Sequence, residues 1–200
     1  MPKQEKRIRR SPEEARRLIL DAAEKIGGAK GPAGLRLQDV AREAGVSHPT
    51  ILHHFGSREG LIRALNVRAA EELTRSLLGR MGERGGDGIA QVFAAYRGGV
   101  AERTVWLIQA GAMPEPGASP LLGEVLEAMQ AMRRKFSRPG HEPDIADSRN
   151  VLNLVAAAAL GDALIGARLR AGSGAPEAEA GRDFEKFLDA LVSDFLKSKA

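Results

Sequence analysis

The sequence contains no cysteine among its 200 residues, and aromatic residues make up only 4% of it. The lack of cysteine excludes disulfide bonds, zinc sites built on cysteine, and cysteine nucleophiles. It does not by itself fix the cellular compartment, since many cytoplasmic and some exported proteins also lack cysteine.

Long apolar runs are absent as well. The charged N-terminus is not followed by an apolar stretch, so no secretory signal is predicted. The longest uncharged apolar run lies between Arg149 and Asp162, and it is shorter than the ~20 residues that a membrane-spanning helix needs. We therefore expect a soluble, cytoplasmic protein without a membrane partner.

The motifs of common enzyme classes are also missing. The chain has neither G-x-S-x-G nor H-E-x-x-H. Its glycine-rich stretches, residues 27–34 and 79–88, lack the residue order of a phosphate-binding loop or a dinucleotide fold. An active site made of carboxylates on separate helices stays open, but nothing favours it. The sequence predicts no cofactor and a protein that is not an enzyme.

The composition is that of a soluble globular chain, with 43% hydrophobic and 28% charged residues. Its net charge is +4, and residues 1–10, with five basic residues and one glutamate, account for the whole excess. Such a basic arm can lie along phosphates or enter the minor groove of DNA. A solvated tail is the alternative.

Apolar residues recur at helical spacing, and no stretch alternates as a strand does, so the predicted fold is all-α. The first helix starts with an S-x-x-E capping box at Ser11, and residues 27–34 are predicted to end it. A later long helix is predicted to run to about Leu78, and Gly98 and Gly99 weaken the join between the two helices that follow. The predicted later helices are Ile89–Val100, Arg103–Met113, Leu121–Phe136, Asp147–Arg170 and Pro176–Lys197.

The stretch Leu37 to Arg58 is typical of two short helices joined by a tight turn. Gly45 suits the left-handed end of the first helix, and Ser47 suits the N-cap of the second. Ile51 and Phe55 are expected to face the first helix. The residues left on or near the outer face are His48, Pro49, Thr50, Leu52 and His53. A helix held in this way, with a small polar outer face, suits a DNA major groove, whereas an ordinary helical hairpin is the alternative.

The string D-V-A-x-x-A-G-V-S-x-x-T-I-x-H-H-F-x-S-R-E resembles the DNA-binding signature of tetracycline-repressor-like (TetR) transcriptional regulators. The resemblance is strong from about Ser11 to Leu65. It implies an N-terminal three-helix helix-turn-helix domain followed by a helical domain for ligand binding and dimerisation. We accordingly expect a basic arm at residues 1–10, a helix-turn-helix domain at 11–60, and an effector-binding and dimerisation domain at 61–200.

The resemblance also implies which residues contact DNA. The phosphate contacts are assigned to the Thr50 hydroxyl, Arg58, the backbone at Ser47 and the basic arm, and Arg36 is a further candidate. Leu52 departs from the tyrosine that is frequent in the family, so it is expected to touch a thymine methyl instead of a phosphate. The full expected set is Arg36, Gln38, Ser47, His48, Pro49, Thr50, Leu52, His53 and Arg58.

A metal site at the adjacent residues His53 and His54 is not expected. Neighbouring residues on a helix point about 100° apart, and no carboxylate or third histidine stands at ligand spacing. We expect His54 to pack or to form a hydrogen bond where the third helix meets the fourth.

The last two helices predict a protein partner. The helix Asp147–Arg170 is apolar almost all round, and Pro176–Lys197 carries a wide apolar stripe, so both must be covered. Either the rest of one chain or a second copy could cover them, and the resemblance implies a homodimer through these two helices. Such a dimer would bind a near-palindromic operator on double-stranded DNA.

The family resemblance further implies a small-molecule effector. A pocket of the residues available would suit an apolar or aromatic ligand, although each of them also suits a core position. The candidates are Tyr96, Trp106, Gln109, Met113, Met129, Met132 and Asn153. The sequence thus predicts a ligand-responsive transcriptional regulator and a repressor, with activation open because the sign depends on where the operator lies. The alternative is an all-helical interaction protein or an enzyme without specific DNA binding.

Overall fold

The computed structural model describes residues 11–80, 87–113, 121–174 and 180–199. Within these ranges the regular secondary structure is helical, which confirms the predicted all-α fold. The helices are α1 Pro12–Lys30, α2 Leu37–Ala44, α3 His48–Phe55, α4 Arg58–Arg80, α5 Gly88–Ala95, α6 Ala101–Gln109, α7 Leu121–Phe136, α8 Ile145–Gly161, α9 Ala167–Gly172 and α10 Ala180–Ser198.

The first helix begins and ends where the sequence predicts. The Ser11 hydroxyl accepts a hydrogen bond from the Glu14 amide at 3.1 Å, which caps α1. The helix then continues through Gly27 and Gly28 and ends at Lys30, within the stretch 27–34 that was predicted to end it. Two glycines weaken a helix but do not stop it, and the chain turns only at Gly31, where φ is +67°.

Helices α1 to α4 enclose the first hydrophobic core. Ile19, Val40, Ile51 and Leu61 have no exposed surface there. Leu107, at the end of α6, and Ala112 belong to the same core. The expected domain boundary at residues 60 and 61 therefore falls inside continuous packing, and later helices complete the N-terminal core.

A second core holds the remaining helices together. Phe93 of α5 has no exposed surface and lies among apolar side chains of α8 and α10. Its other buried members are Val151, Val155, Ala159, Leu188 and Val192. The long helix α4 starts in the first core and packs further along against α5 and α7, so it joins the two cores.

Two irregular turns interrupt the later helices. The chain kinks between α5 and α6, where Gly99 has a φ of +100°, and this confirms the predicted weakness at Gly98 and Gly99. A wide helical turn, Asp162–Gly166, joins α8 to α9 without breaking the helix. The stretch that was predicted as Asp147–Arg170 is therefore one helical rod from Ile145 to Gly172.

This rod, Ile145–Gly172, is long and apolar enough to cross a membrane by length and composition alone, with a mean hydropathy of 1.5 in its most apolar 18-residue window. Its inner side packs in the second core through Val151, Val155 and Ala159. A helix that lies between protein surfaces has the same composition.

Candidate nucleic-acid interface

The turn between α2 and α3 has the geometry that its residues predict. Gly45 adopts the left-handed conformation, with φ +62° and ψ +38°, and it ends α2. The Ser47 hydroxyl accepts a hydrogen bond from the Thr50 amide at 3.3 Å and caps α3. These two local devices fix α3 against α2.

The inner side of α3 anchors it to the first core. Ile51 has no exposed surface, and Phe55 is half-buried against the same core. The guanidinium of Arg16 lies 4.9 Å from the centre of the Phe55 ring and holds it from the α1 side. The helix cannot rotate about its axis without exposing these side chains.

The outer side of α3 is open to solvent. His48, Pro49 and His53 are exposed, and 39% of Leu52 is exposed although it is a large apolar side chain. Thr50 is half-buried at the edge of this face, with its hydroxyl 2.7 Å from that of Ser47. The structure therefore brings the five outer-face residues together on one side of α3.

Helix α2 begins next to this face without a side-chain cap. Arg36 occupies the N-cap position in an extended conformation, and its side chain makes no capping hydrogen bond. Arg36 and Gln38 are both exposed. The missing cap leaves the first amides of α2 open to an anion.

Arg58 is not placed for the phosphate contact that the sequence predicted. Its Nε donates a hydrogen bond to the Leu35 carbonyl at 2.8 Å, and one terminal nitrogen donates to the carbonyls of Pro32 at 2.6 Å and Ala33 at 2.7 Å. The guanidinium also lies 4.9 Å from the centre of the Trp106 ring. Arg58 thus fastens the loop before α2 to α4 and α6, and these contacts favour a structural role over the predicted phosphate contact.

His54 packs at the end of α3, as expected. It is half-buried, with ring centres 5.5 Å from His53 and 6.2 Å from Phe55. Among the residues that the structure describes, no group of three or more histidine, cysteine, aspartate or glutamate side chains could hold a metal ion.

Comparison with known proteins agrees with this geometry. Residues 19–65 match the family model described as "Bacterial regulatory proteins, tetR family". The matched residues begin within α1, include the whole of α2 and α3, and end within α4. The helix-turn-helix segment belongs to the tetR family.

One curated relative of this tetR-type segment is the HTH-type transcriptional repressor Rv3405c of Mycobacterium tuberculosis. The two are 34% identical over 65 residues, which is 32% of this chain and 35% of the relative. The chain thus matches about a third of the length of this relative. Its name is that of a transcriptional regulator, which agrees with the prediction that the chain is not an enzyme.

Solved structures extend the likeness in fold to nearly the whole chain. A TetR-family transcriptional regulator from Pectobacterium atrosepticum superposes with a TM-score of 0.64 at 21% identity, covering 96% of this chain and 97% of that one. A TetR variant from Acinetobacter baumannii, solved in complex with minocycline, gives a TM-score of 0.58 at 19% identity, covering 91% and 96%. At such identities the likeness shows a shared tetR-type fold.

The side chains predicted to form an effector pocket do not come together. Tyr96 and Met129 pack against the second core, and burial raises the pKa of the Tyr96 hydroxyl. Trp106 packs against the first core instead, under Arg58. Gln109, Met113 and Asn153 are exposed, while Met132 is half-buried. Helical spacing gives the face of a residue but not its partner, so these candidates lie in separate places, and their role as effector contacts stays a prediction.

The sequence did not predict a buried charge cluster in the second half of the chain. The carboxylate of Asp162, with 1% of its side chain exposed, accepts hydrogen bonds from Arg97 at 2.5 and 2.8 Å and from Arg170. Arg97 also pairs with Glu185 of α10 at 2.5 Å. An aspartate directly after a long apolar run was the available signal, since a charge in such a place needs a buried partner.

Proposed function

We propose that this chain is a sequence-specific DNA-binding transcriptional regulator that acts as a repressor in the cytoplasm. The observation that carries the proposal is the rigid α3 with an open outer face. Ile51 and Phe55 fix the helix from within, while His48, Leu52 and His53 point away from the core. A short helix presented in this way fits the major groove.

The proposed contacts divide into two kinds. His48, Pro49, Leu52 and His53 are assigned to base edges, because they form the exposed face of α3. The phosphate contacts are assigned to the Thr50 hydroxyl, the backbone at Ser47, and the exposed Arg36 and Gln38 at the start of α2. The basic arm, residues 1–10, lies outside the described residues, and its five basic side chains are proposed to add phosphate contacts.

The proposed active form is a homodimer through Asp147–Arg170 and Pro176–Lys197, of which residues 176–179 lie outside the described ranges. Large apolar side chains stay exposed on α8 to α10 of the single chain, and a second copy would cover them. They are Leu154, Leu164, Ile165, Leu169, Phe184, Phe187, Leu191 and Phe195. Two α3 helices related by a two-fold axis would read a near-palindromic operator with half-sites about 34–36 Å apart.

We further infer that a small molecule controls DNA binding. The support is the shared fold with a TetR variant solved in complex with minocycline. An effector acts only through its different affinities for the two conformations of the protein. A tenfold loss of DNA affinity needs about 1.4 kcal/mol of coupling free energy between the two sites.

The experiment is selection of bound sequences from a pool of random duplex DNA at two salt concentrations. The expected result is an enriched palindrome whose affinity falls steeply with salt, because phosphate contacts release counterions. His53→Ala should weaken binding and relax one position of the motif, whereas His141→Ala, an exposed histidine in the loop before α8, should change neither. If the protein binds no DNA, or binds without an enriched motif, the alternative of a helical interaction protein or an enzyme is favoured instead.

A further inference from the structure

A cavity of about 290 Å³ lies between the N-terminal helices and the kink that joins α5 to α6. Its floor consists of Ala23, Leu35, Ile62 and Leu65, which are all buried side chains of the first core. The opposite wall is the kink itself with the start of α6, from Arg97 to Arg103. The cavity therefore touches both halves of the chain.

Glycines on two separate segments leave the cavity open. Gly27 and Gly28 lie in the last turns of α1, and Gly98 and Gly99 lie in the kink. A Cβ atom on Gly28 or on Gly98 would meet nothing within 4 Å. Glycine is a poorer helix former than alanine, and neither packing nor a positive φ requires it at Gly28. The missing side chain instead makes room in the cavity.

Arg103 supplies a positive charge at this wall, near the carboxylates of Glu24 and Glu102. Its Nε donates a hydrogen bond to the Asn66 side-chain oxygen at 2.8 Å, and Asn66 in turn donates to the Thr104 hydroxyl at 3.3 Å. Its two terminal nitrogens have no hydrogen bond and no ion pair with the residues that the structure describes. Burial lowers the pKa of Arg103, and the charges of Glu24 and Glu102 act in the opposite direction. A half-buried guanidinium held by Nε alone keeps the two donors that a carboxylate binds side by side.

The neighbouring charges have partners of their own. Glu24 pairs with Arg68 of α4, and Arg97 pairs with Asp162 and Glu185. Glu102 is exposed at the rim, near Gly31. Glu102 carries negative charge at the rim, so the groups of this cavity that can bind an anion are the two terminal nitrogens of Arg103.

We propose that this cavity binds a small monocarboxylate, with the carboxylate on Arg103 and an apolar body on Ala23, Leu35, Ile62 and Leu65. Such a ligand would contact the first core and the α5–α6 kink at once. It would therefore change how α6 lies against the helices that carry α3. That regulatory effect rests on the proposed function, whereas binding of the carboxylate does not.

The binding is tested by titration calorimetry of the full chain without DNA. The probes are 4-phenylbutanoate and octanoate, their neutral amides, and acetate as a carboxylate with almost no apolar body. We expect one site per chain for the two larger acids. The amides should bind at least about tenfold more weakly, since a hydrogen bond to a charged group is lost. Acetate should bind most weakly, because the apolar floor contributes nothing to its affinity.

Three variants separate the site from general effects. Arg103→Met should remove the preference for the acids over their amides. Gly28→Met should fill the cavity and weaken the binding of acids and amides alike. Arg75→Met changes an exposed arginine on α4 and should leave all affinities as they are. Circular dichroism checks that each variant is folded. If Arg103→Met does not fold, the proposal is tested by comparing acids with amides on the parent chain and by the affinities of Gly28→Met.

The proposal is overturned if no probe binds, if acid and amide bind equally, or if Gly28→Met binds as well as the parent chain. DNA affinity is then measured with and without saturating 4-phenylbutanoate on the selected operator. A change in DNA affinity of at least several-fold supports regulation through this cavity. An unchanged DNA affinity overturns the proposed regulation. Failure to bind DNA without any probe contradicts the proposed function and leaves the calorimetric result standing.

Discussion

The side chain of Arg58 could bind a DNA phosphate or hold parts of the fold together, and its contacts in the structure favour the second role. An arginine that follows a helix-turn-helix could hold a DNA phosphate, but here three backbone carbonyls and an indole ring surround its guanidinium. These partners lie more than twenty residues before it and almost fifty after it in the chain. Its role is therefore to fasten elements together.

Arg58→Lys is predicted to destabilise the fold. A lysine cannot reach several carbonyls at once as a guanidinium does, and hydrogen bonds to charged groups each contribute about 1.5–3 kcal/mol. We expect the free energy of unfolding to fall by about that amount in urea denaturation. Arg75→Lys, at an exposed position of the same helix, should leave it unchanged. Unchanged stability of Arg58→Lys together with weaker DNA binding would restore the phosphate role.

Leu52 is predicted to set base preference. Its side chain is 39% exposed on the outer face of α3 and has no polar atom, so it can touch a thymine methyl but cannot bind a phosphate. Leu52→Tyr should raise overall DNA affinity through the new hydroxyl and blur the preference for thymine at one position. Binding selection on both proteins measures this, and identical profiles would count against the placement of Leu52.

At the scale of the element, α1 shows how differently two nearby glycines act. Gly28 has helical geometry and open space around its missing Cβ, while Gly31 ends the helix with a φ of +67° and a ψ of 172°. A side chain at Gly28 only improves helix propensity, whereas one at Gly31 meets backbone strain.

The two alanine variants are therefore predicted to have opposite effects. Gly28→Ala should stabilise the protein by about 0.5–1 kcal/mol. Gly31→Ala should destabilise it by about 1–3 kcal/mol, the cost of a strained backbone conformation. Thermal unfolding of both variants is the measurement. A lower midpoint for Gly28→Ala would show that this position is packed more closely than the open space around it indicates.

The rod from α8 to α9 depends on the carboxylate at its wide turn. Asp162 lies where Arg97 of the α5–α6 kink and Arg170 of α9 converge, and Arg97 continues to Glu185 of α10. One buried acid thus ties three helical segments together.

Asp162→Asn is predicted to lower stability by about 3 kcal/mol, since it leaves buried positive charge without its partner. This predicted loss of stability is at the low end of the range for breaking a buried ion pair, because Arg97 and Arg170 are partly exposed. Asp194→Asn removes an exposed partner, 3.8 Å from Lys197, and should have almost no effect. Urea midpoints of the two variants give the comparison, and equal midpoints would contradict a structural role for the cluster.

At the scale of the whole molecule, the exposed apolar surface is concentrated on the last helices. Leu169 is 63% exposed on α9, and Phe187 is 63% exposed on α10. Apolar side chains that continue along two neighbouring helices mark an interface between proteins. The remaining surface includes isolated cases such as Phe136, which is 72% exposed at the end of α7.

Phe187→Glu is predicted to make the protein a monomer at micromolar concentration, because it places charge in the proposed dimer interface. Phe136→Glu is the matched control, since it changes a phenylalanine that is even more exposed but lies on another helix. Light scattering measures the mass of both variants. A monomeric parent chain, or a dimeric Phe187→Glu variant, would contradict the proposed dimer.

Local signals explain which parts of the fold could be predicted. The caps at Ser11 and Ser47, the left-handed Gly45 and the helix Leu121–Phe136 follow from residues close in sequence, and all are confirmed. The buried and exposed sides of α3 also follow from its periodicity. The partners of Arg58, Trp106 and Asp162 could not be predicted, because they come from distant helices and no local pattern encodes them.

The position of Trp106 gives the protein an optical reporter of its own. It is the only tryptophan in the chain, and its indole lies between the N-terminal core and the Arg58 guanidinium. Light that excites indole selectively therefore produces emission from the contact between α6 and the N-terminal core and from nowhere else. Any event that parts α6 from the N-terminal helices will admit water to the ring and shift its fluorescence to longer wavelength. The movement can be followed in solution without attaching a dye.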